Sequence, residues 1–337
     1  MELKKRFIFG LIISAIFLYL AVHKVDLVEL WRALKDAEYL WVLPNMALMM
    51  FSYWLRAYRW KFMVNPIKKL SLNRLFSATI IGFMANNVLP VRLGEVVRAY
   101  SLGSKAEISK TASFATIVVE RVFDGFSLLL ILWITLLFAP FPEIVKKAGN
   151  LTLVLNVILL LVLIFLEIKT KPTLSFFEKI LKLFPRPVSS KASELLYKFT
   201  TGLKIFRDLP NMLWIIFLSL MVWVIVGTSN YFIFLSFGFT PPFYASFILL
   251  VIVALGVMLP SSPGFIGTFQ YACILALGIF GIEKSVAFSF SVVLWISQYL
   301  PVTALGFYYL KREHLSLKEV REEKRDTPKE HGGSSKV

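Results

Sequence analysis

Apolar runs recur along the chain near residues 7–22, 41–58, 74–89, 111–138, 151–168, 212–235, 243–259, 268–281 and 285–310. A helix crosses roughly 30 Å of hydrocarbon with about 20 apolar residues, so the recurrence predicts a polytopic helical membrane protein. The short alternating segments of a transmembrane β-barrel are absent. Between the first two runs, KVDLVELWRALKDAEYL sets Leu27, Leu30, Trp31 and Leu34 at helical spacing against a charged face. That pattern suits a helix lying in the membrane interface, or an ordinary extramembrane helix. The start, MELKKR before an apolar stretch from Phe7 to Val22, resembles a signal peptide, but no small-residue cleavage site follows, so it reads as a retained first helix.

Basic residues give these runs a direction. The N-terminus carries Lys4, Lys5 and Arg6, residues 56–74 carry Arg56, Arg59, Lys61, Lys68, Lys69 and Arg74, and the loop 169–211 is densely basic, so all three are expected on the cytoplasmic side. The loop 139–150 has only Lys146 and Lys147, and 236–242 has no charge, so both can face outward. A full crossing by 74–89 would leave 169–211 on the wrong side. Residues 74–109 are therefore expected to enter and leave by one face, as a re-entrant hairpin whose irregular tip is covered by protein or water.

A second broken segment matches the first. Leu89-Pro90-Val91-Arg92-Leu93-Gly94 and Leu259-Pro260-Ser261-Ser262-Pro263-Gly264 share Leu-Pro, three residues, Gly, one in each half of the chain. Paired interruptions of this kind point to the binding site of an inverted-repeat transporter. The expected architecture is all-α and polytopic, with about 7 spanning helices plus two re-entrant hairpins arranged as an inverted repeat. Its parts are a membrane half at 1–168 with a hairpin at 74–109, a basic linker with an amphipathic helix at 169–211, a membrane half at 212–310 with a hairpin at 243–281, and a charged cytoplasmic tail at 311–337.

Composition agrees with this reading: 57% of the 337 residues are hydrophobic, 17% are charged and the mean hydropathy is +0.71. The net charge of +16 is explained by topology rather than by nucleic acid, because Lys and Arg cluster beside the apolar runs. Cys273 stands alone, so no intramolecular disulfide forms, and His23, His314 and His331 have no zinc-site spacing. Neither a metal nor a cofactor is expected.

The broken segments carry the candidate chemistry. Pro90 fits the first turn of a helix through Arg92, Glu95 and Arg98, spaced i, i+3, i+6 on one face, with Asn86 and Asn87 free to cap or turn before it. Ser262 is a natural N-cap before Pro263, with Ser261 beside it, and Gly264 and Gly267 permit close backbone approach. Two helix N-termini pointing into the membrane would favour an anion such as phosphate. In the next run, VVERVFDGF places Glu120 and Asp124 on one face with Arg121 beside them. Each such charge costs about 2.5–3.5 kcal/mol at mid-membrane even on a lenient scale, so the six should face one another or water. Arg92, Arg98 and Arg121 then balance Glu95, Glu120 and Asp124. Two readings stay open here: an ion-pair network locking the hairpin to its neighbour, or a polar path for a charged head group, for which the arginine fork suits phosphate. Thr228, Ser229, Asn230, Ser297 and Gln298 read as interhelical hydrogen-bonders, and Pro301 as a kink.

With NNVLPVRLGEVVRAY, VVERVFDGF and LPSSPGFIGTFQ in that order, the chain resembles the lysylphosphatidylglycerol synthase transmembrane, or flippase-like, family over nearly all of residues 5–310. The resemblance implies translocation of lipids with phosphate-containing head groups, such as aminoacylated phosphatidylglycerol or polyprenyl-phosphate sugars. Some members carry a cytosolic aminoacyl-transferase domain after the membrane part; the tail here is too short for one, so a stand-alone member without transferase activity is expected. Family members often have an acidic residue where this chain has Gln270, which removes the basis for a proton-linked role there. The expected protein is a flippase or scramblase rather than an enzyme, in the cytoplasmic membrane with both termini cytoplasmic, and compatible with a homodimer. Arg92 and Arg98 would hold phosphate, the Ser261–Gly264 helix end would assist, and Glu95, Glu120 and Asp124 would hold the arginines. Without a phosphate loop followed by Lys-Ser/Thr, transport would run downhill or on an ion gradient. An intramembrane transferase using Glu95, Glu120 or Asp124 as general base, and a carrier of a small soluble solute, are the rival expectations.

Overall fold

Backbone placed in hydrocarbon must satisfy its own hydrogen bonds, and the apolar runs do so as helices. The computed structural model describes residues 2–89, 93–139, 141–168 and 186–315. Among the described residues there is no strand. The helices are α1 (Glu2–Val22), α2 (Leu27–Asp36), α3 (Val42–Val64), α4 (Leu72–Val88), α5 (Gly94–Ala106), α6 (Lys110–Thr135), α7 (Glu143–Ile168), α8 (Arg186–Thr201), α9 (Leu209–Ser236), α10 (Tyr244–Met258), α11 (Thr268–Gly278) and α12 (Lys284–Arg312).

Among the described residues, α7, α9 and α12 are long and apolar enough to cross a membrane, and α1 with α2 makes a fourth candidate, bent by 85° between the two. Two further helices are long but carry charge. Helices α3 and α6, at 1.5 Å per residue, are about 35 and 39 Å long, but α3 contains Arg56, Arg59 and Lys61, and α6 contains Lys110, Glu120, Arg121 and Asp124. The bend lays α2 across the end of α1. Asp26 caps α2 by accepting from the Val28 and Glu29 amides, and Leu27, Val28 and Trp31 are exposed, as an interfacial helix requires. Lys284 fixes the corner by donating to the Leu20 and His23 carbonyls.

The 74–109 hairpin forms as α4 and α5 packed antiparallel, with Gly82 beside Gly94 and Arg98, and Asn86 beside Gly94. Helix α5 starts at Gly94; Pro90, Val91 and Arg92 lie outside the described residues, so the expected helix start at Pro90 has no counterpart among them. The second hairpin is α10 and α11 joined through a 3-10 turn at Pro263–Phe265. Here the expected start differs. Ser262 makes no side-chain cap, Gly264 and Gly267 adopt φ of 72° and 92°, and α11 begins only at Thr268, where Gln270 Oε1 accepts from the Gly267 amide at 2.7 Å. The turn needs left-handed backbone at Gly264 and Gly267, which glycine adopts without steric penalty.

Helix α12 runs between the hairpins, packing on α4 and on α11. Pro301 sits inside it without ending it. The tip of the second hairpin reaches the first: a Cβ placed on Gly264 would lie 3.6 Å from the Asn87 carbonyl oxygen and 3.3 Å from Trp295. Trp295 Nε1 donates to the Gly264 carbonyl at 2.7 Å. Of the linker, α8 is a helix packed on α6; residues 169–185, like the tail from 316 onward, lie outside the described residues.

A Cβ on Gly94 would run into the Gly82 carbonyl oxygen and the Asn86 side chain, whereas one on Gly278 would meet nothing within 4 Å. Gly94→Ala should therefore destabilise the purified protein by about 1–3 kcal/mol, the usual range for overpacking. Gly278→Ala should leave the thermal melt unchanged. Equal melts for the two variants would contradict the close α4–α5 approach.

Candidate functional site

Helix α3 turns one stripe inward: Asn45, Met49, Ser52, Arg56, Arg59 and Met63 recur at helical spacing and all are buried. Arg56 and Arg59, which the count of basic residues assigned to a cytoplasmic flank, are 4% and 0% exposed within the helix. Buried guanidinium groups need partners, because unpaired charge in a low-dielectric interior costs several kcal/mol. The partners come from α6, whose Glu120 and Asp124 are one turn apart.

Asp124 Oδ1 accepts from Arg59 Nη1 at 2.6 Å and from Trp223 Nε1 of α9 at 3.2 Å, while its Oδ2 lies 3.3 Å from Arg56 Nη1. Arg59 Nη1 also donates to Ser219 Oγ of α9 at 2.7 Å. Glu120 takes a two-pronged contact from Arg98 of α5, at 2.9 and 3.0 Å, with Arg59 Nη2 at 3.2 Å and Arg121 Nη2 at 2.6 Å. Aromatic faces complete the shell. Arg98 lies 3.8 Å from the Trp60 ring centroid and Arg56 4.8 Å from that of Trp223, and Trp60 Nε1 donates to Thr116 Oγ1 at 2.8 Å. One network therefore ties α3, α5, α6 and α9 together.

The expected balance of Arg92, Arg98 and Arg121 against Glu95, Glu120 and Asp124 includes Arg92, which lies outside the described residues. Among the described residues, Arg56, Arg59, Arg98 and Arg121 face Glu120 and Asp124, an excess of two positive charges, which Glu95 nearby reduces to one. The excess borders a cavity. Gly82, Phe83, Asn86, Gly94, Glu95, Arg98 and Arg121 line a small, half-open recess where α4, α5 and α6 meet. Arg121 is 37% exposed there, while Nε of Arg98 and Nε of Arg121 are buried without a hydrogen-bond partner. Asn86 builds the wall: its Oδ1 accepts from the Gly94 amide at 2.7 Å and its Nδ2 donates to Glu95 Oε1 at 3.4 Å. Two guanidinium groups on the cavity wall suit an anion with several oxygens, such as phosphate.

Of the residues selected on sequence, the structure brings Asn86, Glu95, Arg98 and Arg121 to this cavity and sets Glu120 and Asp124 directly behind it. Arg92 lies outside the described residues. Asn87 turns the other way, donating to Thr303 Oγ1 of α12 at 2.8 Å. Ser261, Ser262 and Gly264 belong to the second hairpin's turn and Gln270 to the first turn of α11, not to the cavity wall. The Ser262 amide donates to Ser14 Oγ of α1 at 2.7 Å, and Gln270 is a buried cap. Sequence reading missed Arg56, Arg59, Trp60, Ser219 and Trp223. The available signal was the spacing of Ser52, Arg56, Arg59 and Trp60 on one helical face.

The family described as "Lysylphosphatidylglycerol synthase TM region" matches residues 7–306. A UPF0104 membrane protein of Methanocaldococcus jannaschii is 28% identical over 247 residues, covering 71% of this chain and 98% of that protein. Another, from Methanothermobacter thermautotrophicus, is 25% identical over 323 residues, covering 91% and 93%. The glycosyltransferase AglD of Haloferax volcanii is 30% identical over 116 residues, 34% of this chain and 19% of that protein. No solved structure matches.

Glu120→Gln removes the shared acceptor of Arg59, Arg98 and Arg121 and should cost about 3–5 kcal/mol, the usual penalty for orphaning a buried charge. The double variant Glu120→Gln with Arg98→Met should recover part of that loss in an unfolding measurement. Additive losses would mean that the two groups are not coupled.

Proposed function

The chain belongs to the lysylphosphatidylglycerol synthase TM region family, and from that membership we propose that it carries an anionic, phosphate-bearing lipid between membrane leaflets. The single observation behind this reading is the surplus of buried guanidinium charge beside an open cavity between α4 and α5. A buried surplus of cations is unfavourable until an anion enters. The phosphate of a lipid head group supplies that anion while the acyl chains stay in hydrocarbon. Arg121, partly exposed, meets the phosphate first; Arg98, locked by Glu120 and stacked on Trp60, presents a fixed charge behind it.

In this reading the chain crosses the membrane about seven times, with both termini cytoplasmic, and the two hairpins enter from opposite faces as an inverted repeat. Their approach at Gly264 and Asn87 is the barrier that a head group passes when it changes sides. The substrate class covers aminoacylated phosphatidylglycerol, other phospholipids and polyprenyl-phosphate sugars. Assembly as a homodimer and movement down a gradient or with an ion belong to the same proposal.

A transferase acting on a lipid-linked sugar is the second reading, favoured by the 116-residue similarity to a glycosyltransferase. Glu120 and Asp124 are poor general bases, since each is held by three arginines; Glu95 is the remaining candidate. Incubation with a polyprenyl-phosphate sugar separates the two readings, because only a transferase leaves a product of altered mass.

Reconstituted in liposomes with a fluorescent phosphatidylglycerol, the protein should speed exchange between leaflets. Arg121→Gln should slow it by about 10- to 100-fold, the value of one hydrogen bond to a charged group. Equal rates for the two proteins would contradict a role for Arg121 in holding the head group.

A further inference from the structure

Glu95 differs from the two carboxylates behind it. Glu120 and Asp124 are buried and saturated by arginines. Glu95 is only partly buried, sits on the cavity wall, and takes a long 3.4 Å hydrogen bond from Asn86 Nδ2. Asn86 is itself fixed, because its Oδ1 is occupied by the Gly94 amide at 2.7 Å. The amide therefore holds its NH₂ group toward Glu95. The carboxylate is a local anion, weakly held in a space bordered by Arg98 and Arg121.

Resting on the head-group reading above, we propose that Glu95 is the specificity-determining residue of the cavity, tuning it to a phosphodiester and against a phosphomonoester. The reason is charge matching. With Glu95 ionised, the described network carries four guanidinium groups against three carboxylates and has one positive charge left to neutralise. A phosphodiester brings one negative charge. A phosphomonoester brings about 1.5 to 2 at neutral pH, and its extra charge meets the Glu95 carboxylate at close range. Discrimination by a like charge built against the wrong ligand is a general route to specificity. Removing the Glu95 charge raises the surplus to two and reverses the match.

The test uses full-length protein in uncharged detergent. Its two probes are dihexanoylphosphatidylglycerol, a phosphodiester, and dihexanoylphosphatidic acid, a phosphomonoester, with binding followed by calorimetry at neutral pH. The unmodified protein should bind the phosphodiester more tightly. Glu95→Gln should change the ratio of the two dissociation constants at least tenfold in favour of the phosphomonoester, Glu95→Ala should do the same without the isosteric amide, and Glu95→Asp should keep the original preference. An unchanged ratio in Glu95→Gln and Glu95→Ala, with both lipids still bound, overturns the role of Glu95 and leaves the head-group reading standing. An unmodified protein that prefers the phosphomonoester also overturns it. Binding of neither lipid removes the head-group reading, and the proposal with it.

Discussion

A guanidinium group buried in a membrane helix must be met by a carboxylate or an aromatic face, and this constraint organises the first half of the molecule. Arg56 and Arg59 on α3 and Arg98 on α5 could not occupy hydrocarbon alone. Glu120 and Asp124 on α6 lie between them, and Trp60 and Trp223 cover two of the cations. The same pairs that make these charges tolerable also fix the positions of four helices. Helix α5 is only 13 residues long, and it is held in place by the Arg98–Glu120 pair and by the close approach of Gly82 to Gly94 and Arg98. Stability and site geometry thus depend on one set of contacts, and the cavity lies where the set runs short of carboxylates.

Much of this was legible in the sequence, and the failures have physical causes. The parity of basic loops pointed to a hairpin at 74–109, and α4 with α5 fills that interval. Glu120 and Asp124 of VVERVFDGF are buried, as their cost in lipid requires, and Arg121 is partly exposed. The arginines of α3 were misplaced because a count of Lys and Arg near the end of an apolar run cannot tell a loop from the last turns of a long helix; their spacing with Ser52 and Trp60 could have. Ser262 resembled a cap by residue type, yet Gly267 and Gln270, three residues apart, supply the cap, because positive φ at Gly264 and Gly267 delays the helix. The runs at 41–58 and 111–138 were legible as apolar and form α3 and α6, although both helices carry buried charge.

The two hairpins are unequal. The first is lined by ionisable groups around a small, half-open recess, while the turn of the second is tied by neutral hydrogen bonds from Ser262 to Ser14, from Trp295 to Gly264 and within the Gln270 cap. A neutral, glycine-rich turn resting against Asn87 suits a barrier that yields; a charged cavity suits a place where a ligand pauses. On the proposed function, recognition would fall to the first half and passage to the contact between the halves.

The central claim is that surplus guanidinium charge beside α4 and α5 exists to be neutralised by a lipid phosphate. An experimental structure of the protein in nanodiscs containing phosphatidylglycerol tests it most directly. The account predicts a phosphate in the cavity walled by Gly82, Asn86 and Glu95, within hydrogen-bonding distance of Arg121. A cavity closed by Glu95 paired to Arg121, with lipid phosphates confined to the membrane surface, would contradict it.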